Sequence, residues 1–246
     1  MAAVLRKENI GEKSLNLYLC GGSLIEPNVI LTAAHCVAKQ QNYPEGLVVR
    51  VGEWDTQNTD EPYDHQDLEV QEVIIHPEFH GGSLHNDFAL LILAYPAVLS
   101  QHVDTICLPD PNIDHTGSRC YATGWGKDEF GKEGKYQNIL KLIDLPVVDN
   151  YACQDKLRTT RLGGHFRLHK TFMCAGGEPD KDTCKGDGGS PLVCERFRYS
   201  PNDPIVYEQA GIVAWGIGCG ENGVPGVYAR VSDAVPWINT AIQHYK

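Results

Sequence analysis

Short apolar runs separated by turn-forming residues recur along most of the chain. Eight of these runs are rich in Val, Ile, Leu and Tyr and are bounded by Gly, Pro, Asn or Asp, which is the pattern of β-strands. They are Leu17–Leu24, Leu47–Val51, Leu68–Ile75, Phe88–Leu93, Cys120–Trp125, Ile139–Val147, Val206–Trp215 and Val227–Val231. This spacing predicts antiparallel sheets closed as a sandwich or barrel, and it argues against βαβ units.

A proline-rich segment divides the strand pattern nearly in half. Leu108–Asn112 contains two prolines, which disfavour a helix and cannot donate to a strand ladder, so we interpret it as a linker. Near the C-terminus the apolar period becomes that of a helix, which Ser232 or Asp233 can cap. The apolar face of this predicted helix consists of Val235, Ile238 and Ile242.

The composition is that of a soluble globular protein. The 246 residues include 42% hydrophobic and 22% charged residues, and the formal net charge is −11. This acidic balance argues against nucleic acid as a partner, because phosphate binding needs a basic face. No apolar stretch approaches the length of a membrane span.

Nine cysteines are scattered along the chain without any Cys-x-x-Cys pair, which argues against a zinc ribbon. Scattered cysteines in a turn-rich chain indicate disulfides and an oxidising compartment. Because the count is odd, one thiol is free or pairs outside this chain. The segment Met1–Leu5 is too short for a signal peptide, so we expect the chain to be a piece of a longer secreted precursor.

Three short motifs carry the chemistry of the chain. They are Leu31–Cys36 (Leu-Thr-Ala-Ala-His-Cys), His85–Leu91 (His-Asn-Asp-Phe-Ala-Leu-Leu) and Asp182–Pro191 (Asp-Thr-Cys-Lys-Gly-Asp-Gly-Gly-Ser-Pro). Together with Trp215–Gly216 and Pro225–Tyr228 they closely resemble the chymotrypsin-like, trypsin-type serine proteases, in the chain order His, Asp, nucleophile. The resemblance covers nearly the whole chain.

The resemblance implies an all-β fold of two packed six-stranded antiparallel β-barrels with a C-terminal helix. We expect one trypsin-like domain over residues 1–246, with the N-barrel at about residues 1–107 and the C-barrel at about 118–232. The helix is expected over residues 233–245.

The resemblance also assigns the catalytic positions. A serine hydroxyl is a poor nucleophile without a general base, and a carboxylate behind that base fixes its tautomer. His35 matches the base and Asp87 matches the carboxylate, but the nucleophile position holds Gly188, which has no side chain. Ser190 lies two residues on, where the family has a glycine, and is expected to point elsewhere. Loss of a serine nucleophile costs on the order of 10⁶ in kcat, or about 8 kcal/mol of activation free energy.

The specificity pocket of trypsin-type enzymes has matches in this chain. Asp182 lies where the family places the carboxylate that binds Arg or Lys, and Gly216 and Gly226 match the open walls of that pocket. The resemblance therefore implies that the cleft still accepts a basic side chain. The alternative is that Asp182 is a surface residue in a turn.

Eight of the cysteines match disulfides of the family, and each such bridge stabilises the fold by about 2–4 kcal/mol. The implied pairs are Cys20–Cys36, Cys120–Cys194, Cys153–Cys174 and Cys184–Cys219. Cys107 is left over, and its Ile-Cys-Leu-Pro context resembles that of two-chain relatives in which this cysteine binds an upstream segment. The alternative is a buried free thiol.

The glycine at position 188 narrows the resemblance. The chain combines this glycine with the segments Leu24–His35 and Gly52–Asp55. In this combination it resembles the non-catalytic clip-domain serine protease homologues of arthropods, which include the prophenoloxidase-activating factors and masquerade-like proteins. The resemblance implies a secreted haemolymph protein with a clip domain upstream. It also implies a binding cofactor in the prophenoloxidase cascade of melanisation. The expected partners are prophenoloxidase or phenoloxidase, an upstream activating protease, the protein's own clip domain and further copies of itself.

Two loops have alternative interpretations. Residues 156–170 carry five Lys or Arg and two His, which indicates either a solvated loop or a docking surface for an acidic partner or for the clip domain. The loop Glu53–Asp64 is acidic, and Glu53 matches the first calcium ligand of trypsin-like relatives. A structural calcium ion or a plain acidic loop would both explain it, and no cofactor is required.

Two other functions compete with the inactive cofactor. One is an active trypsin-like endopeptidase whose nucleophile has moved to Ser190. The other is a pattern-recognition or adhesion protein on a protease fold. Gly188 disfavours the first, whereas only the resemblance separates the cofactor from the second.

Overall fold

Antiparallel strands form two closed barrels in the computed structural model of the chain, which describes residues 1–11, 13–58, 60–126, 137–179, 187–198, 200–217 and 223–245. The first barrel has the strand order β1-β2-β3-β6-β5-β4 and the second has the order β10-β11-β12-β9-β8-β7. The predicted pair of six-stranded barrels is therefore confirmed.

The twelve strands are distributed equally between the barrels. Those of the first barrel are β1 (Ala2–Ile10), β2 (Lys13–Glu26), β3 (Val29–Thr32), β4 (Leu47–Val51), β5 (Gln66–Ile75) and β6 (Ala89–Leu93). Those of the second barrel are β7 (Arg119–Gly124), β8 (Lys141–Val148), β9 (Phe172–Gly176), β10 (Pro191–Glu195), β11 (Tyr207–Trp215) and β12 (Pro225–Arg230).

Three α-helices connect or follow these strands in the described residues. They are α1 (Ala34–Val37), α2 (Asn150–Arg158) and α3 (Val231–Ala241), and short 3₁₀ turns occupy Ala38–Gln40, Pro44–Gly46 and Ile242–His244. None of the described helices is long and apolar enough to cross a membrane.

Four strands, β1, β3, β9 and β10, are absent from the eight runs that the sequence pattern identifies. The five residues of β9 are all buried, and so are the four of β3, so neither strand shows the alternation of a half-buried strand. The second half of β1 is polar, and its pairing with β2 is what makes it a strand. Tertiary pairing thus overrides a weak local signal in these segments.

The helix α2 is also missing from the prediction, although a local signal is present. The side chain of Asp149 accepts hydrogen bonds from the backbone N–H groups of Tyr151 and Ala152, which is the contact of an N-cap residue. Only Cys153 and Leu157 are buried on this helix. One four-residue spacing is too little periodicity to indicate a helix by itself.

The C-terminal helix begins earlier than predicted, and the predicted cap is wrong. Its first residue is Val231, so Ser232 and Asp233 lie inside the first turn, and no side chain caps the helix. Ser232 Oγ instead donates to the carbonyl of Ile113 at 3.3 Å. The apolar face is confirmed, because Val235, Ile238 and Ile242 are all buried.

The C-terminal helix packs on the first barrel, although it follows the last strand of the second. Its buried residues belong to the same apolar cluster as the strands of the first barrel. The amide of Asn28 also donates to the carbonyl of Tyr245 at 2.9 Å. The helix thereby links the two barrels.

A pair of histidines joins the barrels at one side of the cleft. The ring of His85, which precedes β6, stacks on the ring of His169, which precedes β9, with centroids 3.9 Å apart. Thr171 Oγ1 accepts from the backbone N–H of Asn86 at 3.4 Å and lies 2.9 Å from His169 Nδ1. Leu84 and Asn86 have φ values of 58° and 52°, a strained conformation that this junction holds in place.

This junction should make the fold less stable in mild acid. The pKa of His85 lies below its usual value, mainly because burial disfavours the charged ring, and further because His169 and His80 would be like charges. The unfolded chain then binds this proton at a higher pH than the folded chain. Stability is therefore lost as the pH falls through about 6.5, the ordinary histidine value. We expect His85→Gln to reduce the drop in melting temperature between about pH 7.5 and pH 5.5.

The matched control is His244→Gln, because His244 is exposed at the C-terminal 3₁₀ turn. Scanning calorimetry of both variants would measure the effect. An unchanged pH dependence in His85→Gln would contradict a contribution of this junction to stability.

Candidate active site

His35 and Asp87 lie side by side, at the positions that the resemblance assigns to the base and its carboxylate. Asp87 is fully buried, and its Oδ2 lies 2.6 Å from His35 Nδ1. Its Oδ1 accepts the backbone N–H of His35 at 2.8 Å. Both oxygens are thus held by one residue, so the carboxylate fixes the imidazole orientation and leaves Nε2 toward the cleft.

Gly188 lies directly against this imidazole. A Cβ atom added to Gly188 would be 2.9 Å from His35 Nε2 and 3.7 Å from Cys20 Sγ. A side chain at this position would therefore point at the imidazole, and the ring would have to shift to admit it. The structure places no side chain between the base and the cleft at this position.

Ser190 points away from the base, into the interior. The residue is fully buried, and a Cβ added to Gly21 would meet its hydroxyl at 2.0 Å. Among the described residues its hydroxyl has no hydrogen-bond partner. As expected, Ser190 is directed elsewhere, and attack on a substrate from the cleft would require the loop to refold.

The carboxylate of Asp187 is held beside the second barrel. Its Oδ1 accepts the backbone N–H of Gly126 at 2.8 Å, and the residue is nearly buried. A Cβ on Gly124 or on Gly126 would meet this carboxylate at 2.0 or 2.4 Å. Glycine at both positions lets the carboxylate reach the backbone.

The specificity pocket is described only in part. Gly216 follows β11 and Gly226 lies in β12, and these strands pair through Trp215 and Val227. Asp182 lies outside the described residues, so the binding of a basic side chain stays a prediction. Ala214, which precedes Trp215 at the end of β11, is buried.

Three of the four implied disulfides are present in the described residues. They are Cys20–Cys36, Cys120–Cys194 and Cys153–Cys174. The pair Cys184–Cys219 lies outside those residues. The bridge Cys20–Cys36 uses both sulfurs near His35, so that cluster is a disulfide and not a metal site.

Cys107 is a free thiol and is exposed, so the alternative of a buried thiol is wrong. It lies in a cavity of about 380 Å³ whose other lining residues include Ile25, Glu26, Arg196 and Asn239. Its carbonyl accepts from the backbone N–H of Gln209 at 2.9 Å. The backbone is thus fixed while the sulfur faces solvent.

The residues around Glu53 do not fit a calcium ion. Glu53 Oε2 accepts from Arg50 Nη1 at 3.0 Å and lies 3.4 Å from His65 Nδ1, while Oε1 accepts from the backbone N–H of Trp54. Arg50 also binds Asp67, and its guanidinium lowers the pKa of that carboxyl. In the part of the chain that the structure describes, Glu53 belongs to no group of three metal-ligating side chains. A salt bridge neutralises this carboxylate where the resemblance implied calcium.

Comparison with known proteins points to one family. The sequence model described as Trypsin matches residues 1–238. Phenoloxidase-activating factor 2 of Galleria mellonella is 52% identical over 98% of this chain and 79% of its own length. Inactive CLIP domain-containing serine protease A28 of Anopheles gambiae is 43% identical over 92% of this chain and 56% of its length. Protein masquerade of Drosophila melanogaster is 39% identical over 93% of this chain and 21% of its length.

The buried hydroxyl of Ser190 gives a test of the site geometry. A buried hydroxyl without a partner costs about 1–3 kcal/mol, so Ser190→Ala should raise the free energy of unfolding by about 1 kcal/mol. Ser23→Ala is the matched control, because buried Ser23 donates to Gln209 Oε1 at 2.5 Å and its loss should destabilise the fold. Denaturant unfolding of both variants measures this, and destabilisation by Ser190→Ala would refute the assigned orientation.

Proposed function

The chain belongs to the trypsin family, and from this premise we propose that it is a catalytically inactive serine protease homologue. It is secreted and acts by binding proteins, as a cofactor that regulates the prophenoloxidase cascade of arthropod innate immunity. The observation that carries the proposal is Gly188, which presents no side chain to the intact His35–Asp87 pair. A general base and its carboxylate remain, but they have no hydroxyl to activate.

The names of the relatives support two parts of the proposal, namely the role in the prophenoloxidase cascade and the absence of catalysis. One is a phenoloxidase-activating factor and another is named an inactive CLIP domain-containing protease. The present chain spans 56% of the latter and 21% of masquerade, so partners and activity of the whole protein are proposals. Disulfides in a fold related to a phenoloxidase-activating factor are consistent with an extracellular location.

Exposed Cys107 supports an upstream clip domain. A free surface thiol is exceptional in a disulfide-rich secreted protein, and a bond to an upstream segment would remove it. The cavity around Cys107 offers room for the segment that carries the partner cysteine. This disulfide would keep the clip domain attached to the present chain after cleavage of the backbone between them.

The active-enzyme alternative has little support from the site. Its nucleophile would be Ser190, whose hydroxyl lies against Gly21 in the interior and not beside His35.

Binding to microbial surfaces without an effect on phenoloxidase would favour the adhesion alternative.

A fluorophosphonate probe, which labels activated serines, tests the loss of the nucleophile. We expect no labelling of the protein itself and detectable labelling of Gly188→Ser, because that side chain would point at His35 Nε2. The double variant Gly188→Ser/His35→Ala is the control and should lose the label. Labelling of the unmodified protein that disappears in Ser190→Ala would sink the proposal of an inactive homologue.

Reconstitution tests the cofactor role. Full-length protein, prophenoloxidase and its activating protease are mixed, and phenoloxidase activity is measured with and without the homologue. We expect higher activity when the homologue is present, and Ser190→Ala should behave as the unmodified protein. An equal activity in its absence would contradict the cofactor role and leave the adhesion alternative.

A further inference from the structure

One surface of this acidic protein is strongly basic. Residues 156–170, here called the basic segment, contain five of the 21 Lys and Arg residues and no Asp or Glu. Arg158 forms an ion pair with Asp155 at 3.1 Å. The other four cations are exposed, and within the described residues none of them forms an ion pair. They are Lys156, Arg161, Arg167 and Lys170.

The basic segment is held in a defined conformation. The disulfide Cys153–Cys174 closes it, Arg158 Nε donates to the carbonyl of Phe166 at 2.9 Å, and Gln154 Oε1 accepts from Leu168 N–H at 3.0 Å. Phe166 packs edge-on against Trp215, which ends β11 beside the cleft. The cations are therefore presented on a prepared framework, which lowers the entropy lost when a partner binds.

The segment leads into a cavity of about 1090 Å³, here called the histidine cavity. Its lining includes His76, His80, His85, His169, Lys170 and Arg230. His80 Nδ1 accepts from the backbone N–H of Ser83 and His169 Nδ1 from that of Thr171. Each neutral ring then carries its proton on Nε2, so both can donate a hydrogen bond to an anion.

Two acidic residues also line the histidine cavity and restrict the kind of anion that fits. Glu78 is exposed there. Burial raises the pKa of Asp233, although the positive charges of Arg230 and Lys170 act to lower it. A dense polysulfate would meet these carboxylates at close range and be repelled. Single carboxylates spaced along a peptide can instead alternate with them and reach the cations.

We propose that the basic segment and the histidine cavity together bind an acidic stretch of a partner protein. The surface provides four exposed cations along one disulfide-closed segment and a recessed cavity with ring N–H donors at its end. The proposal goes beyond the loss of catalysis, because neither His35 nor Gly188 takes part in it.

A labelled peptide of alternating Glu-Gly and Asp-Ser units, about twelve residues long, is the probe. Its binding to the full-length protein is measured by fluorescence anisotropy at about 0.1 M salt. We expect Arg161→Glu/Arg167→Glu to weaken binding about tenfold, because two attractions become repulsions. Raising the salt to about 0.5 M should also weaken binding, since screening shortens the range of these charges.

The matched control is Lys39→Glu/Lys141→Glu, which changes the net charge equally at two exposed sites outside the surface. It should alter binding less than twofold. The milder pair Arg161→Gln/Arg167→Gln, with about a threefold loss, guards against misfolding of the charge-reversed protein. Equal weakening by both charge-reversed pairs would overturn the proposal, as would binding of heparin but not of the acidic peptide. Failure in the fluorophosphonate assay would leave this surface untouched.

Discussion

The site depends on a close backbone contact between the two barrels, at Gly21 of the first and the loop 187–190 of the second. Gly21 N–H donates to the carbonyl of Gly188 at 2.9 Å. A Cβ on Gly189, whose φ is +80°, would meet Gly21 O and Thr32 Oγ1 at 2.5 Å. Because no side chain fits here, the loop lies flat against the first barrel, and this places position 188 beside His35.

The burial of Asp87 gives the pair His35–Asp87 a structural role that is independent of catalysis. Asp87 is fully buried, and both its oxygens accept from His35. Loss of the imidazole would leave a buried carboxylate with one partner fewer, which costs several times an ordinary hydrogen bond. The pair therefore has a structural role in joining α1 to β6, whether or not it activates a nucleophile.

Several of the charged side chains discussed above form ion pairs, whereas those of the basic segment are largely exposed. Some of the carboxylates form ion pairs with cations of the same chain, as Glu53 and Asp67 do with Arg50. The basic segment is the exception, because its framework is hydrogen-bonded, whereas four of its cations form no ion pair in the part of the chain that the structure describes. The rim of a protease-like cleft can serve for binding, because function depends on the residues of a site and not on the fold.

The sequence by itself determined the fold family and showed Gly188 at the position matched to the family's nucleophile, because both depend on residue identities at matched positions. It also located the apolar face of α3, where a 3.6-residue period is local information. Only the tertiary structure decided the pairing of β1, β3, β9 and β10, the interior direction of Ser190 and the salt bridge at Glu53. It likewise brought His85 onto His169, 84 positions apart. Each of these depends on contacts between residues remote in the chain, which no local pattern records.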